Sequence, residues 1–137
     1  SHCYSVLLPN LEKVSVITDT GYITEESMDG IMGSKTILLE SNHDVRMLTS
    51  GPYPYPLKRR ILGKEGHLSN EDSAEASVQL LKTGTKNIVL AHLSKENNFP
   101  ELAYNTHFAR LSMEGAQLDV DYTLTVADRD NPTILEV

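Results

Sequence analysis

Val14-Ser-Val-Ile-Thr18 runs into Asp19, Thr36-Ile-Leu-Leu39 into Glu40, and Asn87-Ile-Val-Leu-Ala91 into His92. Short, β-branched apolar runs bounded by turn residues read as buried strands. Helical signals follow each run, which is the pattern of an α/β layered fold. In such sheets ligands gather beyond the carboxyl ends of the strands. Asp19, Glu40 and His92 are therefore expected at one rim, each able to bind a metal or move a proton.

Outward from these runs, Cys3 to Leu8 and Val14 to Thr18 read as a hairpin across Pro9-Asn10. Thr24 opens a helix with Glu25 and Glu26 near its positive N-terminal dipole. Met28, Ile31 and Met32 give that helix an apolar side, and Gly33 suits its end. Residues 42–50 are expected to form a helix ending at Gly51. The segment Pro52-Tyr-Pro-Tyr-Pro56 cannot continue it and reads as an ordered loop. Ser69 with Asp72 resembles a capping box for a helix over 70–83, with Ala74, Val78 and Leu81 as its buried stripe. Asn98 with Glu101 starts another helix running to about Met113, with Leu102, Ala103, Thr106 and Ala109 at helical spacing. Asp119 to Val126 alternates apolar and polar residues and reads as a half-buried antiparallel strand, paired with Thr133 to Val137.

The chain has 137 residues, a single domain by length. No apolar run approaches the ~20 residues needed to span a bilayer. The opening Ser-His-Cys-Tyr lacks a basic region followed by an apolar one, so no signal peptide is expected. A single cysteine, Cys3, excludes an internal disulfide and a CxxC metal cage, which fits a reducing cytoplasm. A net charge of −7 argues against wrapping nucleic acid with the whole surface. Lys58, Arg59 and Arg60, with Lys64, form a local basic patch that reads either as a solvated face or as a phosphate contact.

Asp19 lies in Thr18-Asp-Thr-Gly21, a strand end followed by a tight turn, where a carboxylate can bridge two cations. Asp and Gly are equally ordinary turn formers. His92 ends a buried strand, a place where a hydrogen-bonded structural histidine is the commoner case. His67, in Gly66-His67-Leu68-Ser69-Asn70, precedes a helix N-terminus, where free amides hold anions. A carboxylate such as Glu40 would orient it as a general acid requires. His2, His43 and His107 read as surface residues or as support for the site.

Taken in order, Thr-Asp-Thr-Gly (18–21), Leu-Leu-Glu-Ser-Asn-His-Asp (38–44), Lys-Arg-Arg-Ile-Leu (58–62), Gly-His-Leu-Ser-Asn-Glu-Asp (66–72) and Leu-Ala-His-Leu-Ser-Lys-Glu-Asn-Asn (90–98) resemble the C-terminal half of a metallo-β-lactamase-fold hydrolase. The resemblance is to the bacterial cytoplasmic subfamily related to ribonuclease J and ribonuclease Z, whose members are metal-dependent DNA exonucleases. It implies half of an αββα sandwich, a mixed sheet with helices on one face, over residues 1–137. It implies two divalent metal ions, zinc or manganese, with Asp19 as the bridging ligand and His92 as a ligand of the second ion. It also implies that His67 protonates the leaving oxygen with Glu40 as its partner, and that the Asn97-Asn98 pair is a subfamily feature.

The family's remaining ligands lie in an upstream His-x-His-x-Asp-His segment, and this chain has no His-x-His. The reading is therefore a partial site of a metal-dependent phosphodiesterase, a nuclease with DNA preferred to RNA as substrate. The isolated chain is expected to be inactive and to associate with itself or with the missing N-terminal half. Two other readings stand beside it: hydrolysis of a small ester or thioester on the same fold, and a non-catalytic interaction module with a vestigial site.

Overall fold

The structure is a computed structural model and describes residues 2–10, 12–18, 20–63 and 66–128. Among them, five strands form one mixed sheet in the order β1-β2-β3-β4-β5. These are β1 (His2–Leu7), β2 (Lys13–Thr18), β3 (Thr36–Glu40), β4 (Asn87–Ala91) and β5 (Thr123–Val126). β1 and β2 make the expected antiparallel hairpin, with Cys3 opposite Ile17 and Val6 opposite Val14. From β2 onward all neighbours are parallel. The carboxyl ends of β2, β3 and β4 thus share one rim, with Glu40 beside Ala91 in register.

Alternation along the strands sends Ile17, Ile37, Leu39, Ile88, Leu90 and Leu124 to one face. There they meet Ile31 of α1 (Glu25–Ile31), Ala76, Val78 and Leu80 of α4 (Asn70–Lys82), and Ala103 and Leu111 of α5 (Pro100–Met113) in one buried cluster. The opposite alternation places Tyr4, Val6, Val14, Val16 and Leu38 on the other face, where Tyr4 is 59% and Val6 58% exposed. No helix of the described residues is long and apolar enough to cross a membrane.

Local chemistry explains most element ends. Thr24 Oγ1 accepts from the Ser27 N–H at 3.0 Å and caps α1. Ser69 Oγ accepts from the Asp72 N–H at 3.1 Å and caps α4. Gly33 and Gly84, which follow α1 and α4, adopt φ of +80° and +109°, open to glycine without a Cβ penalty.

Four expectations are corrected. The helix expected over 42–50 is α2 (Val45–Ser50), because Asp44 caps it through the Met47 N–H and His43 instead bridges to Ser69. The Pro/Tyr segment is not wholly loop: α3 (Tyr55–Leu62) begins inside it, with Pro54 as cap and Pro56 in the first turn, where a missing N–H costs nothing. α5 begins at Pro100, and its buried stripe is Ala103, His107 and Leu111 while Ala109 is exposed. The last strand is shorter than expected and parallel, not antiparallel: Asp119 takes φ +64° in a turn, and only Thr123–Val126 pairs with β4. Its expected partner, residues 133–137, lies outside the described residues.

Candidate metal and phosphoryl-transfer site

Glu40 ends β3 with its side chain fully buried, and a buried carboxylate is costly unless its oxygens are matched to donors. Here they are matched three times. Oε1 accepts from the Leu68 N–H at 3.0 Å. Oε2 faces Nδ1 of His67 at 3.2 Å and also Nδ1 of His92. The two imidazoles stand edge to face with centroids 5.2 Å apart. Glu40, His67 and His92 together offer ligand atoms that all lie within 4.8 Å of one another, a donor set suited to a divalent cation.

Two chemical uses follow from this arrangement. The three groups can hold an ion directly. Alternatively, Glu40 accepts Nδ1–H from both rings, which fixes their tautomers and makes Nε2 the atom of each ring suited to ligate a metal or carry a proton, the usual service of a carboxylate behind a histidine. Sequence reading paired Glu40 with His67 alone. The second pairing, with His92, needs β3 and β4 side by side.

The backbone that presents these rings is fixed by amides. His92 sits at φ +59°, a left-handed conformation that non-glycine residues seldom adopt. Asn42 spans it: Nδ2 donates to the His92 carbonyl at 2.9 Å, and the Asn42 carbonyl accepts from the Ser94 N–H at 2.6 Å. The Asn42 N–H donates to the Leu68 carbonyl at 2.8 Å, so one residue ties both histidine loops to the end of β3. Beneath it, Asn70 and Asn98 exchange reciprocal amide bonds at 2.9 Å, and Asn98 Nδ2 reaches the Ser41 carbonyl at 2.9 Å. Asn98 is therefore a buried cross-brace, not the cap of α5. Gly66 lets the loop before His67 press onto the end of α3, since a Cβ there would collide with the Ile61 carbonyl.

The remaining sequence candidates divide. Asp19 lies outside the described residues; β2 ends beside it at Thr18, on the rim shared with Glu40. Of the basic run, Arg60 lines the cavity in front of His67 and His92. Lys58 Nζ instead donates to the Thr49 carbonyl at 2.8 Å, and the Arg59 guanidinium lies over the Tyr55 ring at 5.9 Å. Of the two readings of His43, surface residue or support for the site, the second fits: it is buried behind the site, and burial followed by the nearby His67 hold its pKa below the ordinary value. His107 is wholly buried between the Ala103 carbonyl and Ser73 Oγ and serves the core between α4 and α5, far from a surface role. Sequence reading missed Asn42 and Tyr53 as parts of the site. Asn42 stands in the quoted 38–44 stretch, but nothing in its type or spacing announces a clamp.

No family model matches the chain. It is 43% identical over 120 residues to a protein named exodeoxyribonuclease WalJ of Streptococcus pneumoniae, covering 88% of this chain and 45% of that protein. The same identity holds in a second strain of that species. It is 40% identical over 127 residues to one named exodeoxyribonuclease YycJ of Bacillus anthracis, covering 93% of this chain and 48% of that protein. The chain thus spans about half the length of the curated relatives it matches. With 40–43% identity across 88–93% of its residues, this chain is similar to about half of those WalJ and YycJ proteins, and its five-stranded mixed sheet carrying helices on one face has the architecture of half a metallo-β-lactamase-type αββα sandwich.

Proposed function

We propose that this chain is the C-terminal half of a metal-dependent phosphodiesterase, a DNA exonuclease working in the cytoplasm. The observation that carries the reading is the convergence of Glu40, His67 and His92 at the rim of the sheet, in a chain whose relatives are named exodeoxyribonucleases. Asp19 and His92 are the ligands this half brings to a pair of divalent ions, zinc or manganese, and the upstream half brings the others. Such ions, when bound, lower the pKa of water and neutralise phosphate charge.

The chain's own residues do the rest. Glu40 holds the His67 ring through Nδ1, which leaves Nε2 to deliver a proton to the departing oxygen. The same carboxylate sets the His92 ring, so a single buried group aligns a ligand with a proton donor. Asn42 keeps His92 in its left-handed conformation, and Arg60 presents a guanidinium to a substrate phosphate from the cavity wall.

Digestion of end-labelled DNA and RNA by a protein of the relatives' length that carries this chain, with metal analysis of the same preparation, tests the reading. Divalent metal with release of mononucleotides from DNA is expected. A metal-free preparation that cleaves as well, or cleavage of thioesters without cleavage of DNA, would overturn it.

A further inference from the structure

The cavity before the two imidazoles holds about 420 Å³, and its outer wall comes from Tyr53, Leu57, Arg60 and Ile61. A pocket of several hundred Å³ suits one small molecule or one nucleotide, not a base pair. Leu57, Arg60 and Ile61 stand three and four residues apart on α3 and so share the face turned to His67 and His92. Arg59 points away onto Tyr55, and Lys58 is bound to Thr49. Arg60 has no side-chain hydrogen bond or carboxylate partner among the described residues. A guanidinium without a partner among the described residues, sharing with a tyrosine the lining of a cavity floored by imidazoles, is a donor set for a phosphate carrying a flat ring.

We propose that Tyr53 and Arg60 form a subsite for one unpaired nucleotide adjoining the reacting centre, the guanidinium on its phosphate and the phenol ring against its base. The subsite rests on the phosphodiesterase reading and narrows it to a strand that reaches the site single-stranded. Stacking on an aromatic ring is indifferent to base identity, because every base has a π-face. Arg60 matches phosphate oxygens through its forked N–H donors. On a chain of net charge −7, no general positive field gathers nucleic acid, so these two local contacts carry the selection.

Fluorescence anisotropy of a labelled single-stranded oligothymidylate, titrated in EDTA with a protein of the relatives' length that carries this chain, tests the subsite. Tyr53→Ala and Arg60→Ala should each weaken binding by about tenfold or more, with Tyr53→Phe restoring the loss. Arg60→Ala should also lower the slope of log affinity against log salt by about one, the signature of one lost phosphate contact. Arg59→Ala should stay within about twofold, since its side chain lies outside the cavity. The proposal is overturned by equal losses in Arg59→Ala and Arg60→Ala, by failure of Tyr53→Phe to restore, by a blunt duplex binding as tightly as the single strand, or by no binding at all. Binding with the expected pattern but no cleavage by the longer protein would instead sink the nuclease reading and leave the subsite. Cleavage with KM unmoved by Tyr53→Ala and Arg60→Ala would sink the subsite alone.

Discussion

His67 and His92 lean on the same carboxylate, yet their proposed duties differ, and single substitutions separate them. In the longer protein, His67→Ala should slow turnover by about 10²–10⁴-fold, the worth of general acid assistance, with metal content near normal. His92→Ala should lower metal occupancy in the same preparation. Metal lost from His67→Ala and retained in His92→Ala would exchange the two roles. Gly66→Ala tests the loop that carries His67. The added Cβ meets the Ile61 and Arg60 carbonyls, which are main-chain atoms with little freedom to yield. The loop must shift, at a cost of about 1–3 kcal/mol, and His67 must leave Glu40 with it. Urea melts would read the first effect, and the imidazole resonances of His67 the second. Wild-type stability together with unmoved resonances would show the close approach to be unimportant.

At the scale of elements, α4 and α5 are joined through an imidazole. His107 Nε2 meets Ser73 Oγ at 3.0 Å and its Nδ1 meets the Ala103 carbonyl at 2.9 Å. Burial pushes its pKa down to about 4, against the two hydrogen bonds that act the other way. The folded state therefore holds this ring neutral while the unfolded chain protonates it near pH 6.5. Between about pH 6.5 and pH 4 the unfolded state binds more protons, so stability rises with pH across that window. Its contribution is complete above pH 6.5 and falls by about 3 kcal/mol as pH drops toward 4. Urea midpoints over this range should fall steeply for the native chain and less so for His107→Gln. Parallel curves for the two would place the acid sensitivity elsewhere.

For the whole molecule, the sheet is covered on one side by α1, α4 and α5 and presents Tyr4, Val6, Val14, Val16 and Leu38 on the other. An apolar face of that kind favours association with another surface. The 137-residue chain alone should therefore self-associate in sedimentation, and Tyr4→Lys with Val6→Lys should shift it toward monomer. It should also be catalytically silent and hold zinc weakly, because with Glu40 engaged by both imidazoles the proposed ligands Asp19 and His92 fall short of the about three protein ligands that a catalytic ion typically needs. A monomer that binds two zinc ions and cleaves DNA would show that the site is complete within this chain. By mass action, a separately made upstream half of the relatives' length should stabilise this chain if it docks on that face, raising the melting temperature with the logarithm of its concentration above the dissociation constant.

Short-range chemistry is what the sequence determined alone. The three β-branched runs became β2, β3 and β4 because alternation and apolar content leave such segments little else to do in water. Thr24 and Ser69 marked helix starts because an N-cap is a contact between residues three apart. The rim grouping of Glu40, His67 and His92 was likewise legible, since strand ends in a parallel sheet fall at one edge. Strand direction and the amide contacts that brace the loops were beyond it. The parallel course of β5 depends on α5 returning the chain to the same end of the sheet, and the pattern of Asp119 to Val126 is the same for either direction. The helix in the Pro/Tyr segment arises from the first-turn tolerance of proline, a permission that does not compel. Asn42, Asn70 and Asn98 look like turn residues in the chain and become buried clamps only when β3, α4 and α5 bring their partners within hydrogen-bond reach. An amide carries no mark of its future partner, so the brace that sets His92 at φ +59° was decided by tertiary structure alone.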